Sequence, residues 1–247
     1  MTNDNRTTGN RLAWVLGCAL FALLGGAAGW FWNAARQGPA NKLAIEKVVH
    51  DYLMANPEVL PKAMKELQRR ESAKQLAGVQ DDVETPFPGA ILGNPKGAIT
   101  LVEFTDFACG YCRQSVGDIE ALIAANPDLK IVIRELPILS ESSADAARMA
   151  LAAAEQGKYP AFHKAMFAAG RPDPATIDAA ARAAGLDMTR ARATIASPKV
   201  EAEIRRNLDM AGELGFSGTP SWVIGEELHS GAVGTDVLAE AIKRARS

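Results

Sequence analysis

The apolar positions along this chain change their spacing several times. From Leu12 to Trp32 runs a stretch of 21 residues without a charge, long enough to cross a bilayer core as a helix, which takes about 20 apolar residues. Gln37-Gly38-Pro39 breaks that pattern. Over 41–55, Ile45, Val48, Val49, Tyr52 and Leu53 recur at helical spacing. Asn56-Pro57 then reads as an N-cap with proline at the first helical position. The helix it opens reaches about residue 77, with Leu60, Met64 and Leu67 on one stripe. Lys62, Lys65, Glu66, Arg69, Arg70 and Glu71 form its charged face. Residues 81–89, with acids and two prolines, read as a linker.

Beyond the linker the period changes. The turn Gly93-Asn94-Pro95-Lys96-Gly97 precedes a strand at 98–105, helix signals follow Cys112, and a second strand covers 130–136. Strand, helix and strand at this spacing form a βαβ unit and predict parallel pairing. From 143 to about 214 the pattern is helical, in segments 144–156, 159–168, 174–185, 188–196 and 198–214. Residues 221–225 and 228–233 read as a β-hairpin, and 235–244 as a closing helix. The expected class is α/β: one domain over 86–247 with a helical insertion at about 143–214. Ahead of it stand a helical extension over 41–80, the apolar span 12–32 and a tail 1–11.

Composition narrows the function by exclusion. The 48% apolar fraction supplies a core, and a net charge of −2 gives no electrostatic case for nucleic acid or an anionic surface. No phosphate-binding glycine loop stands out. The apolar span is read as an uncleaved anchor, with Trp30 and Trp32 at its interfacial edge. A signal peptide cleaved near Ala27-Ala28-Gly29 is the alternative. Val15-Leu16-Gly17-Cys18 has too short an apolar core before it for lipid attachment, so Cys18 reads as a small apolar residue. Arg6 and Arg11 before the span, against Arg36, Lys42 and Lys47 after it, do not set its orientation.

The chemistry lies in Cys109-Gly110-Tyr111-Cys112, directly after the apolar run 99–104. Two thiols in this spacing bridge only if their Cα atoms approach to roughly 4.4–6.8 Å. The first turn of a helix provides that, because residues three apart share a face. A strand feeding the helix puts Cys109 at its N-terminus, where open N–H groups and the dipole stabilise a thiolate. That is the construction of a thiol–disulfide exchange site. Halves of zinc sites and plain structural disulfides share the CxxC spacing, but zinc takes four ligands. Cys18 lies in the apolar span, and His50, His163 and His229 are scattered, so neither metal nor cofactor is expected from a single chain.

Glu103-Phe104-Thr105-Asp106-Phe107-Ala108 ahead of the Cys-Gly-Tyr-Cys motif, a helical insertion, and Gly218-Thr219-Pro220 before a strand together resemble the DsbA-type thioredoxin fold over roughly 86–245. The segment from Tyr52 to Leu60 is similar to the extension of the copper-sensitivity suppressor (ScsC-like) branch, where the extension can drive oligomerisation. The resemblance implies that Cys109 is the nucleophile, Cys112 the resolving cysteine and Pro220 the cis-proline facing them, with Thr219 before it. Thr219, Pro220, Gly110 and Tyr111 would then line the substrate site. Gly110-Tyr111 resembles the pair in bacterial disulfide isomerases rather than the Pro-His of the oxidising prototype. Glu103 matches the buried acid on the first strand, which could exchange a proton with Cys112; a salt-bridged or edge-exposed glutamate is the other reading. His163 matches a position in the insertion and reads as a packing residue.

The expected function is an extracytoplasmic thiol:disulfide oxidoreductase acting on exported proteins, leaning to isomerase or reductase work in a homo-oligomer formed through 41–80. A monomeric oxidase, or a protein holding copper by the two thiolates, are the alternatives. A membrane redox partner is expected, and no nucleic acid. The redox pair argues for an oxidising compartment, so the expected location is the inner membrane with the catalytic domain in the periplasm and residues 1–11 in the cytoplasm. Secretion to the periplasm after signal cleavage is the alternative.

Overall fold

The computed structural model describes Trp14, Gly17 and residues 20–32 and 39–246. The chain divides between Lys65 and Glu66 into two units.

In the first unit residues 20–32 are helical. Among the described residues no helix is long and apolar enough to cross a membrane. The span expected over 12–32 falls partly outside the described residues, as do Cys18 and the tail 1–11. Helix α1 covers Pro39–Ala55 and helix α2 covers Val59–Leu76. The second begins two residues later than the sequence suggested. Asn56 does not cap it: the Asn56 side-chain amide donates back to the Tyr52 carbonyl at 2.9 Å, closing α1. Val59 N–H donates to the Asn56 carbonyl, which makes 56–59 a turn. Leu43, Ile45, Val48, Val49, Tyr52, Leu60 and Met64 are all exposed.

The second unit is built on a five-stranded sheet: β1 (Ile91–Gly93), β2 (Ile99–Thr105), β3 (Leu129–Glu135), β4 (Ser221–Ile224) and β5 (Glu227–Ser230), in the order β1-β3-β2-β4-β5. β2 and β3 pair in parallel through α4 (Gly110–Ala125), as the spacing predicts. The other pairings are antiparallel. The insertion consists of α5 (Glu141–Glu155), α6 (Tyr159–Ala169), α7 (Pro174–Ala183), α8 (Met188–Ile195) and α9 (Pro198–Glu213), and α10 (Thr235–Ala245) closes the chain. Side-chain caps separate the inserted helices: Asp173 accepts from Ala175 and Thr176 N–H, and Asp187 from Thr189 and Arg190 N–H.

Both faces of β2 and β3 are covered, which is why these strands read as near-continuous apolar runs. Leu101, Ile131, Ile133, Trp222 and Ile224 form one face, under residues of α4 to α8 and α10. Val102, Phe104, Val132 and Val223 form the other, against Leu76, Met210, Leu214 and Phe216.

The expected linker is a correction. Residues Gln80–Glu84 form a short helix, α3, with Val83 in the second core layer. The reason lies in β3. Arg134 is buried and donates to the carbonyls of Asp82, Val83 and Thr85, which supplies donors for carbonyls that a short helix leaves open. β1 also went unread. Gly93, at φ +74°, ends it where an added Cβ would lie 2.6 Å from the Leu129 carbonyl oxygen, so the chain passes too close for any other residue.

Candidate active site

β2 delivers the site. It ends at Thr105, and Asp106 turns the chain into α4: the Asp106 carbonyl accepts from Cys109 N–H at 2.9 Å. Its side-chain Oδ1 accepts from Ala108 N–H at 2.8 Å. Cys109 is thereby the N-cap residue of α4, beside the open N–H groups and positive dipole end of a 16-residue helix. It keeps 6% of its surface accessible, while Cys112, one turn on, is fully buried in the core. Both are free thiols.

The Thr219–Pro220 peptide is cis, and the Cys109 Sγ–H donates to the Thr219 carbonyl at 3.2 Å. The structure therefore brings Thr219 to Cys109, with Pro220 next in the chain, although 110 positions separate Cys109 from Thr219. Gly110 and Tyr111 are exposed on the first turn of α4, Tyr111 by 63%.

Glu103 is 1% exposed and lies between Ile133 of β3 and Trp222 of β4 in the sheet register. Its salt-bridged or edge-exposed alternative is overturned: neither carboxylate oxygen has a hydrogen-bond partner. Trp222 cannot help, because its indole N–H is taken by the Gly231 carbonyl. Burial pushes the Glu103 carboxyl up to about 8. The Thr105 hydroxyl offsets part of this from outside hydrogen-bond geometry, and the proximity of Cys109 adds to it. Burial, then Glu103, also push the Cys112 thiol well above the ordinary thiol range. A buried acid and a buried thiol thus disfavour each other's ionised form.

Sequence reasoning missed two further acids in this layer. Asp106 is buried beside the cysteine loop. Glu135, opposite Thr105 in register, accepts from the Tyr159 hydroxyl at 2.6 Å. Burial raises both the Glu135 carboxyl and the Tyr159 phenol well above their ordinary ranges. The signal was present: an acid in an apolar strand, at the same parity as Ile131 and Ile133. His163 is buried against Phe107, Tyr159 and Phe167, ring centroids 6.0, 5.9 and 4.9 Å away. Burial lowers its pKa to about 4, so at neutral pH it is an uncharged member of an aromatic cluster.

A thioredoxin-like sheet with a cysteine pair at a helix N-terminus, facing a cis-proline loop, defines the class of thiol–disulfide oxidoreductases. The chain belongs to the family of the DSBA-like thioredoxin domain, whose model matches residues 100–243. The copper resistance protein ScsC N-terminal domain matches residues 42–74. Among solved structures, a thioredoxin-like oxidoreductase from Silicibacter pomeroyi is 40% identical at a TM-score of 0.65, covering 68% of this chain and 97% of that one. A linker-deleted variant of Proteus mirabilis ScsC is 26% identical at 0.65, covering 85% and 96%. A curated relative, the Na(+)/H(+) antiporter NhaA 1 of Salinispora arenicola, is 28% identical over 182 residues. That match takes in 70% of this chain and only 28% of the antiporter's length.

Proposed function

We propose that this protein exchanges disulfides with exported polypeptides through Cys109 and Cys112, as an isomerase or reductase working in an oligomer. The observation that carries the exchange chemistry is the Cys109 thiol at the start of α4, hydrogen-bonded to the Thr219 carbonyl, with Cys112 buried one turn further along the helix. In the oxidised protein a client thiolate attacks Cys109, and a second client thiol releases the reduced pair. In the reduced protein Cys109 attacks a wrong client disulfide, and Cys112 frees it if rearrangement stalls. Glu103, which holds its own proton at neutral pH, donates it to the Cys112 sulfur as that sulfur leaves.

The isomerase leaning rests on Gly110-Tyr111, on the ScsC-type match over 42–74, and on the exposed apolar residues of α1 and the start of α2, which suit self-association. An oxidising compartment suits the chemistry. We therefore propose a periplasmic catalytic domain held at the inner membrane through 12–32, reoxidised or reduced by a membrane partner.

Reactivation of scrambled ribonuclease tests this. Leu76 and Val83 belong to the core of the catalytic unit, so the extension is better altered by Leu43→Ser, Val48→Ser and Tyr52→Ser than removed. Reactivation by the native chain, lost together with the oligomer in the triple variant, supports the isomerase. Oxidation of reduced ribonuclease without reactivation would make it an oxidase. Cu(I) protection of both thiols without any exchange would favour the metal-binding alternative.

A further inference from the structure

Asp106 stands between two loops at the C-terminal edge of the parallel pair β2–β3, where open α/β sheets place their ligands. It is 1% exposed, and both carboxylate oxygens are used. Oδ1 accepts from Ala108 N–H, in the loop that carries Cys109. Oδ2 accepts from Ile138 N–H at 2.9 Å and Leu139 N–H at 3.0 Å, in the loop after β3. The Asp106 main chain adds the bond from Cys109 N–H. One residue therefore fixes the offset between the nucleophile and the 136–140 loop.

What that loop presents is apolar and open. Ile138 is 41% and Leu139 53% exposed. Beyond residue 70, the large apolar side chains exposed among the described residues are Tyr111, Ile138, Leu139, Leu208 and Val237. Tyr111, Ile138 and Leu139 sit on the two segments that Asp106 ties together. Such side chains beside a reactive thiol gain by covering an apolar side chain of whatever docks there.

We infer that Asp106 is a positioning residue for exchange with polypeptides. It holds Ile138 and Leu139 at a fixed distance from Cys109, so that an extended client segment is read by an apolar side chain next to its cysteine. This rests on the thiol–disulfide exchange proposed above. A carboxylate accepts at both oxygens, whereas asparagine keeps one acceptor and turns an N–H₂ toward backbone donors. Asp106→Asn therefore releases one of the two loops. A small disulfide that never reaches the 136–140 loop senses only what happens at Cys109, so the ratio of rates isolates the offset between the two loops.

The test uses the reduced native chain and three disulfides: glutathione disulfide, and the symmetrical disulfides of a short peptide with leucine or serine beside its cysteine. Cys109 attacks one sulfur and releases one thiol, then Cys112 attacks the mixed disulfide and releases the second. Two protein thiols become one disulfide as one disulfide becomes two thiols, and the two protons follow. We expect the native chain to prefer the leucine peptide over glutathione disulfide and over the serine peptide. Asp106→Asn should lower the ratio of the leucine-peptide rate to the glutathione rate roughly tenfold, the scale of one apolar contact. Ile138→Ser with Leu139→Ser should lower it equally, and adding Asp106→Asn to that pair should lower it no further. The double serine variant changes only exposed side chains, so it decides the matter if Asp106→Asn fails to fold. An unchanged ratio, whether all rates fall together or none does, overturns the inference. A native chain inert to all three disulfides overturns the exchange reading itself.

Discussion

The Tyr159 hydroxyl donates to Glu135 Oε1 at 2.6 Å in the buried layer beneath the cysteine pair. The three acids of that layer are supplied with donors very unequally. Asp106 receives three backbone N–H groups on its carboxylate, Glu135 receives one hydroxyl, and Glu103 receives none. Burial with no donor to its charged form pushes the Glu103 carboxyl up to about 8. Glu103 therefore keeps its proton at neutral pH, held close to the resolving thiol.

Removing the single donor should cost more than one hydrogen bond. Tyr159→Phe leaves a buried acceptor unpaired, at about 1–3 kcal/mol. Urea unfolding measures the loss, and a Tyr159→Phe chain as stable as the native one would count against the Tyr159–Glu135 bond.

Glu103 sets a pH dependence whose sign follows from its raised carboxyl. Between the ordinary 4.5 and about 8 the folded chain keeps a proton that the unfolded chain has lost. Stability is therefore greatest at low pH and falls through this window, by up to about 1.4 kcal/mol per pH unit from this one group. Above about 8 its contribution is flat. Glu103→Gln should flatten the slope between pH 5 and 8 and raise stability most at the alkaline end. The slope should persist in part, because Glu135 is raised in the same direction. Denaturation midpoints across that range provide the check, and an unaltered slope would place the coupling elsewhere.

The depth of the two thiols predicts an ordered reactivity. Cys109→Ala should abolish exchange with client disulfides. Cys112→Ala should leave the first attack intact and accumulate a covalent protein–client complex, visible on a non-reducing gel. Equal trapping by both variants would contradict the assignment of Cys109 as the attacking group.

Arg134 holds α3 to the sheet and pairs with Glu203 at 2.7 Å in the interior. Arg134→Met leaves the Glu203 carboxylate buried without its cation and strips the carbonyls of Asp82, Val83 and Thr85. Stability should fall by about 3–5 kcal/mol. Amide hydrogens of 80–85 should exchange faster than those of β2. Adding Glu203→Gln should recover part of the loss, because the uncompensated charge is then gone.

Much of this was legible along the chain. The βαβ unit, the helical insertion and the hairpin follow from period changes and turn residues, which are local properties. Cys109-Gly110-Tyr111-Cys112 after an apolar strand, together with Thr219-Pro220 before another, points to the two halves of the site. The short helix α3 was hidden because its stability comes from Arg134, some 50 positions downstream. β1 was hidden because three residues carry too little period to read.

The sequence by itself determined the parts list: which residues carry redox chemistry, where strands and helices alternate, and that Glu103 shares a strand face with Leu101 and Thr105. Only the tertiary structure decided that Glu103 finds no partner between Ile133 and Trp222, that Tyr159 answers Glu135, and that Asp106 spans two loops. Those outcomes depend on which elements pack together and on what donors they bring into a space without water. A buried polar group takes its properties from those neighbours more than from its own identity.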